Sequence, residues 1–174
     1  IYGVKICRVP GVELSERICA LAAQKGYRVF IYGAREEVNR RAAEVLQERF
    51  PAIRIAGRAN GYLPEDQMGD LIDRINLSGA EILFVALGSP KQELWISRFR
   101  EDLKTVRVCQ GIGGTLDTLA GTVRRAPEFW CRWNGEWLYR LLAEPRRIKR
   151  QRVLPLFATQ VIFLKFRNLM NLPA

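Results

Sequence analysis

The chain has 174 residues, 48% hydrophobic and 26% charged, the balance of an ordinary globular domain with enough length for one good core. Its four cysteines, Cys7, Cys19, Cys109 and Cys131, are scattered without a CxxC pair, and there is no histidine, which excludes a zinc cluster and fits a reduced, cytosolic setting. The net charge of +10 is concentrated at one end: residues 122–174 carry +8 and residues 1–121 only +2, so the C-terminal third should attract phosphate-rich partners, whether nucleic acid, anionic lipid or a diphosphate substrate.

The chain opens at Ile1 with no charged n-region or apolar h-region, so no signal peptide is expected, and it reads as a piece of a longer protein. From Gly11 to about Gly121, β-branched runs alternate with segments of helical periodicity. Strands are expected at Arg28–Gly33, Ile53–Gly57, Ile82–Gly88 and Val106–Gly111, and helices at Val12–Lys25, Arg35–Arg49, Pro64–Asn76 and Pro90–Glu101. That alternation predicts right-handed βαβ units, a parallel sheet flanked by helices, and so a Rossmann-like α/β core over residues 1–121. Gly33, Gly57 and Gly88 are read as strand-ending turns, and the ligand region is expected in the loops beyond the carboxyl ends of the strands.

After Gly121 the pattern changes to a basic, aromatic-rich helical appendage over residues 122–174. Glu128–Leu142 reads as a helix, and Glu144–Arg152 holds five Arg or Lys against one acid. The apolar stretch Val153–Leu164 is 12 residues long, short of the roughly 20 needed to span a bilayer. It suits an interfacial helix or one packed on the domain or on another subunit, so a homo-oligomer stays open.

Three motifs carry candidate chemistry. In Gly88–Glu93, Ser89, Pro90 and Gln92 are expected to start a helix as N-cap, first residue and capping-box partner. Lys91 does not fit that role, since a cation at a helix N-terminus faces the positive end of the dipole. Either it is simply solvated, or an anionic ligand lies there and Lys91 and Gln92 face its phosphate or sugar. In Gly111–Gly121 a dinucleotide-binding GxGxxG would need glycine where Leu116 stands, so a nicotinamide-dependent oxidoreductase is disfavoured. What remains is a Gly-rich turn, with Gly113 and Gly114 able to admit a ligand, leading into a helix that carries Asp117. The third motif gathers Arg124 and Arg125 with Arg140, Arg146, Arg147 and Arg150. Glu136 and Arg140 could pair at i and i+4, but so many guanidinium groups suit a diphosphate. Nucleic-acid binding could use the same charges, yet no recognised motif accompanies them.

Taken in order, "GSPKQELW", "GIGGTLDTLAGTVRRAP" and "EWLYRLLAEPRRIKR" closely resemble the WecG/TagA/CpsF family of bacterial glycosyltransferases, with support from Arg8–Gly11, Phe30–Gly33 and Gly61-Tyr62. The resemblance implies a metal-independent, inverting enzyme without a cofactor. Such an enzyme moves an N-acetylmannosamine-like sugar from a UDP donor to an undecaprenyl-diphosphate-linked sugar, for teichoic acid or other cell-surface polysaccharide. It implies donor or diphosphate contacts from Lys91, Gln92, Glu93, Gly113, Gly114, Asp117, Arg124, Arg125, Arg140, Arg146 and Arg147, and a cytoplasmic location at the inner face of the membrane, against anionic lipid. Two departures stand out. The family's Asp-Gly segment, source of the favoured catalytic base, precedes the residues present here, which leaves Asp117 as a weak substitute and predicts an inactive chain. Glu13-Leu14 replaces the common Asp-Leu. The competing reading is a non-catalytic fragment that binds anionic membrane or nucleic acid through its basic end.

Overall fold

A computed structural model of the chain describes residues 9–123, 127, 129, 130, 139, 157 and 159–165. The chain divides into two compact units, Arg8–Arg124 and a second made of Ile1–Cys7 with Arg125–Ala174.

In the first unit the order is α1 (Gly11–Lys25), β1 (Arg28–Gly33), α2 (Glu36–Arg49), β2 (Arg54–Ala59), α3 (Met68–Ser78, preceded by a 3-10 turn at Glu65–Gln67), β3 (Ile82–Ala86), α4 (Lys91–Phe99), β4 (Val108–Gly111) and α5 (Thr115–Leu119). The four strands form one parallel sheet in the order β2-β1-β3-β4. The unit is therefore a Rossmann-like α/β fold.

Strand alternation splits the core into two layers, because successive side chains of a strand point to opposite faces. Val29, Ile31, Ile82, Phe84 and Ala86 meet Cys19 and Ala22 of α1, Ala42, Ala43 and Leu46 of α2, and Leu116 and Leu119 of α5. Phe30, Tyr32, Leu83 and Val85 meet Met68, Leu71, Ile72 and Ile75 of α3 and Trp95 of α4. Each long helix buries a stripe at helical spacing: Val12, Ser15, Cys19 and Ala22 in α1, and Met68, Leu71, Ile72 and Ile75 in α3. The central strands are buried almost throughout, as expected of a sheet covered on both faces.

Several expectations need correction. The second strand runs on to Ala59, and Gly57 is not its terminal turn. Gly57 lies opposite Phe30 just after the register shifts, and a Cβ there would sit 2.5 Å from the Phe30 ring, so the glycine makes room for an aromatic side chain. The third strand stops at Ala86, two residues before Gly88. The fourth begins at Val108, because Arg107 and Val108 both donate their amides to the Glu81 carbonyl and the chain bends there. The capping box at α4 does not form. Pro90 stands at the N-cap, following a cis Ser89-Pro90 peptide, with no side-chain cap, and the Gln92 amide is satisfied by the Gly88 carbonyl at 3.0 Å.

In the second unit, residues 129–130, 139, 157 and 159–165 are helical. Trp130 packs between Phe129 and Tyr139, with ring centroids 6.5 and 6.1 Å away. Phe157, Ile162, Phe163 and Leu164 are exposed. Much of the expected helix 128–142 and of the apolar stretch 153–164 lies outside the described residues. Among the described residues no helix is long and apolar enough to cross a membrane.

Candidate functional site

Strands β1 and β3 are neighbours, yet α2 leaves β1 on one face toward β2 while α4 leaves β3 on the other face toward β4. This reversal is the topological switch point, where the carboxyl ends of an open α/β sheet leave a crevice for a ligand. The crevice floor is built from main chain. The Ala34 amide donates to the Ala86 carbonyl at 3.0 Å, the Gly61 amide to the Ala34 carbonyl at 2.8 Å, and the Ile112 amide to the Val85 carbonyl at 2.8 Å. The turn after β1, the loop after β2 and the end of β3 are thus joined through one residue, Ala34.

Ala34 has φ +56°, an uncommon setting for a residue with a Cβ, and Gly33 before it has φ +127°. Gly33 is required there: a Cβ would lie 2.5 Å from the backbone C and O of Ala86. The strained turn therefore sits where the two central strands end, a common place for functional strain.

Helix α4 supplies Lys91, Gln92 and Glu93. Lys91, its first residue, is exposed and makes no ion pair among the described residues. Gln92 is only 7% exposed: its Oε1 accepts the Gly113 amide at 2.9 Å, and its Nε2 donates to Glu93 Oε1 at 2.9 Å. Glu93 is exposed, and the hydrogen bond from Gln92 holds its carboxyl below the usual range. Slight desolvation opposes that shift, and its own amide and the Ser89 hydroxyl add to it. Gly113 has φ +50° and Gly114 is the N-cap of α5. The structure therefore joins Gln92, Glu93 and Gly113 directly, and Gln92 lies behind Glu93 rather than at the surface.

Asp117 lies in the first turn of α5, half-buried, with its carbonyl accepting from the Thr122 hydroxyl at 2.9 Å. Arg124, Arg125, Arg140, Arg146 and Arg147 lie outside the described residues.

The motif reading passes over Asn39. It is fully buried on the inward stripe of α2, where its Nδ2 donates to the carbonyls of Gly33 at 2.8 Å and Ala59 at 3.0 Å, with a weaker contact to Ile31 at 3.4 Å. It ties the ends of β1 and β2 to α2, and the signal for it is a polar residue on the otherwise apolar 39, 42, 43, 46 stripe. Arg35, exposed just before α2, places a second cation at a helix start beside the crevice.

Beyond β2 a shallow cleft of about 300 Å³ is lined by Glu36, Arg58, Asn60, Leu63 and Arg74. Arg58 pairs with Glu36, and Arg74 donates to the Arg58 carbonyl at 3.1 Å. The Trp95 indole donates to the Met68 sulfur at 3.4 Å and packs against Tyr32, with ring centroids 4.9 Å apart and the planes tilted by 51°. Burial, aided by the Glu65 charge, pushes the Tyr32 phenol up. No group of three or more metal-ligating side chains comes together among the described residues.

The family model for the glycosyl transferase WecG/TagA/CpsF family matches residues 2–171. A curated relative, the N-acetylglucosaminyldiphosphoundecaprenol N-acetyl-beta-D-mannosaminyltransferase of Bacillus spizizenii, is 39% identical over 155 residues, which cover 89% of this chain and 59% of the relative. The chain thus spans somewhat over half the length of that curated protein. With the match running over nearly its whole length, the chain belongs to the WecG/TagA/CpsF family of glycosyl transferases.

Proposed function

We propose that the chain carries the donor side of a glycosyltransferase that moves an N-acetylmannosamine-like sugar from UDP to an undecaprenyl-diphosphate-linked N-acetylglucosamine, in the synthesis of a cell-surface polymer. The observation that carries this reading is the crevice at the β1/β3 switch point, where the loop of Gly113 and the start of α4 are joined through Gln92. The named activity of the Bacillus relative supports the choice of substrates.

In this reading the uracil nucleotide enters beside Gly113 and Gly114, and Lys91 and Arg35 at two helix starts offset the diphosphate charge. A base removes the proton from the acceptor hydroxyl. The hydroxyl oxygen then forms a bond to the anomeric carbon as the carbon–oxygen bond to UDP breaks, and UDP leaves with the electron pair and the sugar configuration inverted. The resemblance assigns the base to the Asp of an Asp-Gly motif, which these 174 residues do not contain; among the carboxylates of this histidine-free chain Asp117 is a weak candidate. Exposed Phe157, Ile162, Phe163 and Leu164, next to Lys165, support a peripheral position on the cytoplasmic face of the membrane, where the lipid-linked acceptor resides.

Titration calorimetry with UDP tests the donor side. Binding with Kd below about 1 mM is expected, and it should weaken from 50 mM to 500 mM salt as charge–charge attraction is screened. Absence of binding to the chain at millimolar UDP would sink the reading. A nucleic-acid-binding module would instead bind polynucleotide more tightly than UDP.

A further inference from the structure

Gln92 stands where an amphipathic helix would carry an apolar residue. It shares the inward stripe of α4 with Trp95, and Ile96 and Phe99 follow at the same spacing, partly buried against the core. A carboxamide in that place is costly unless both its ends are bonded. Here they are, and both bonds lead toward the crevice: the acceptor end holds Gly113 on the loop after β4, and the donor end holds Glu93. Strand β4 is shaped to let the side chain pass. A Cβ on Gly111 would lie 2.7 Å from Gln92 Nε2 and 2.9 Å from Cδ, so only glycine leaves the carboxamide its path.

We propose that Gln92 is a positioning residue of the site: without touching the ligand, it locks the Gly111–Gly114 loop against α4 and holds the Glu93 carboxylate in place to accept hydrogen bonds from the hydroxyls of a bound nucleoside diphosphate sugar. This rests on the function proposed above and assigns the ligand contact to Glu93. A methionine or leucine of similar volume at 92 would fill the space and lose both links. A glutamate would keep an acceptor for Gly113 but set two carboxylates against each other.

The test uses the 174-residue chain with UDP-N-acetylglucosamine and UDP as probes. Gln92→Glu and Glu93→Gln are each expected to weaken binding at least about tenfold, a loss of about 1.4 kcal/mol. The double variant Gln92→Glu/Glu93→Gln restores the bond between the two side chains but not the carboxylate at 93, and should bind no more tightly than Glu93→Gln alone. A purely structural role for Gln92 would leave Glu93→Gln binding the probes as the wild-type chain does. Independently of any ligand, the Gly113 amide should be protected from hydrogen exchange in the wild-type chain. It should exchange at least about tenfold faster in Gln92→Leu, and in Gly111→Ala, which displaces the carboxamide without removing it. A double variant that binds more tightly than Glu93→Gln, or a Gly113 amide equally protected in Gln92→Leu, overturns the proposal. If the amide behaves as expected but neither probe binds the wild-type chain, the proposed function fails and the ligand role of Glu93 fails with it. If the probes bind and the variants bind equally well, the positioning role of Gln92 and the ligand role of Glu93 both fail while the proposed function stands.

Discussion

Replacing Gly33 by alanine should be among the most damaging single-methyl changes in the core unit. The residue has φ +127°, a region that side chains rarely enter, and holding alanine there costs about 1–3 kcal/mol. The new Cβ would meet the Ala86 backbone, 2.5 Å from its C and O and 2.7 Å from its Cα. That wall has little freedom to retreat. Strand β3 is paired on both sides, and the Ala86 carbonyl already accepts the Ala34 amide. Overpacking against such a neighbour adds about 1–3 kcal/mol, so a total loss of about 2–6 kcal/mol is expected, out of a typical stability of about 5–15 kcal/mol. Urea unfolding followed by circular dichroism measures it. With a slope of about 2 kcal/mol/M the midpoint should fall by about 1–3 M. Gly69→Ala is the matched control: it lies in α3 with nothing within 4 Å of the added Cβ, and should stabilise by about 0.5–1 kcal/mol. A Gly33→Ala protein within 1 kcal/mol of wild type, or two alanine variants of equal stability, would refute the reasoning.

Asn39→Asp would set a fully buried carboxyl against carbonyl oxygens it cannot accept from, at a cost of about 3–5 kcal/mol. Only the protonated acid can donate there, so its folded pKa is raised. The variant keeps most of its stability below the unfolded carboxyl pKa and loses it as pH rises through the folded one. Unfolding at pH 4.5 and pH 8 checks this, and equal losses at both would contradict it. Burial pushes the Cys19 thiol up to about 12 and the Cys109 thiol to about 11. At pH 8 that leaves the Cys109 thiolate at about 0.1%. With Cys7 and Cys131 changed to serine, a thiol reagent should label the folded chain at least about 100-fold more slowly than free cysteine. Labelling at the free rate would rule out burial as the controlling factor.

The fold was legible in the sequence because its main signals are local. The four β-branched runs became the four strands, and stripes such as 68, 71, 72, 75 became inward helix faces. The site was legible in part. Ser89-Pro90-Lys91-Gln92 has the letters of a capping box, but Gln92 also lies at the inward spacing of Trp95, Ile96 and Phe99, and burial won over capping. Its partner Gly113 is 21 residues away, a pairing that no window of sequence displays. Asn39 escaped for the same reason, since two of its partners lie at the ends of different strands. Gly57 misled because a glycine opposite an aromatic ring and a glycine in a turn look alike until the register of the neighbouring strand is known.

Ala34 gives its amide to one loop and its carbonyl to another, and its side chain takes part in neither bond. Both bonds are therefore made by atoms that every residue type except proline possesses, and the turn that aims them depends on the missing Cβ of Gly33. The exposed side chains around it, such as Arg35, Tyr62 and Lys91, can be exchanged without touching either bond. Chemical identity is thus left to replaceable side chains and spatial precision to the backbone, with Gly33 a position where a single added methyl group reaches that backbone.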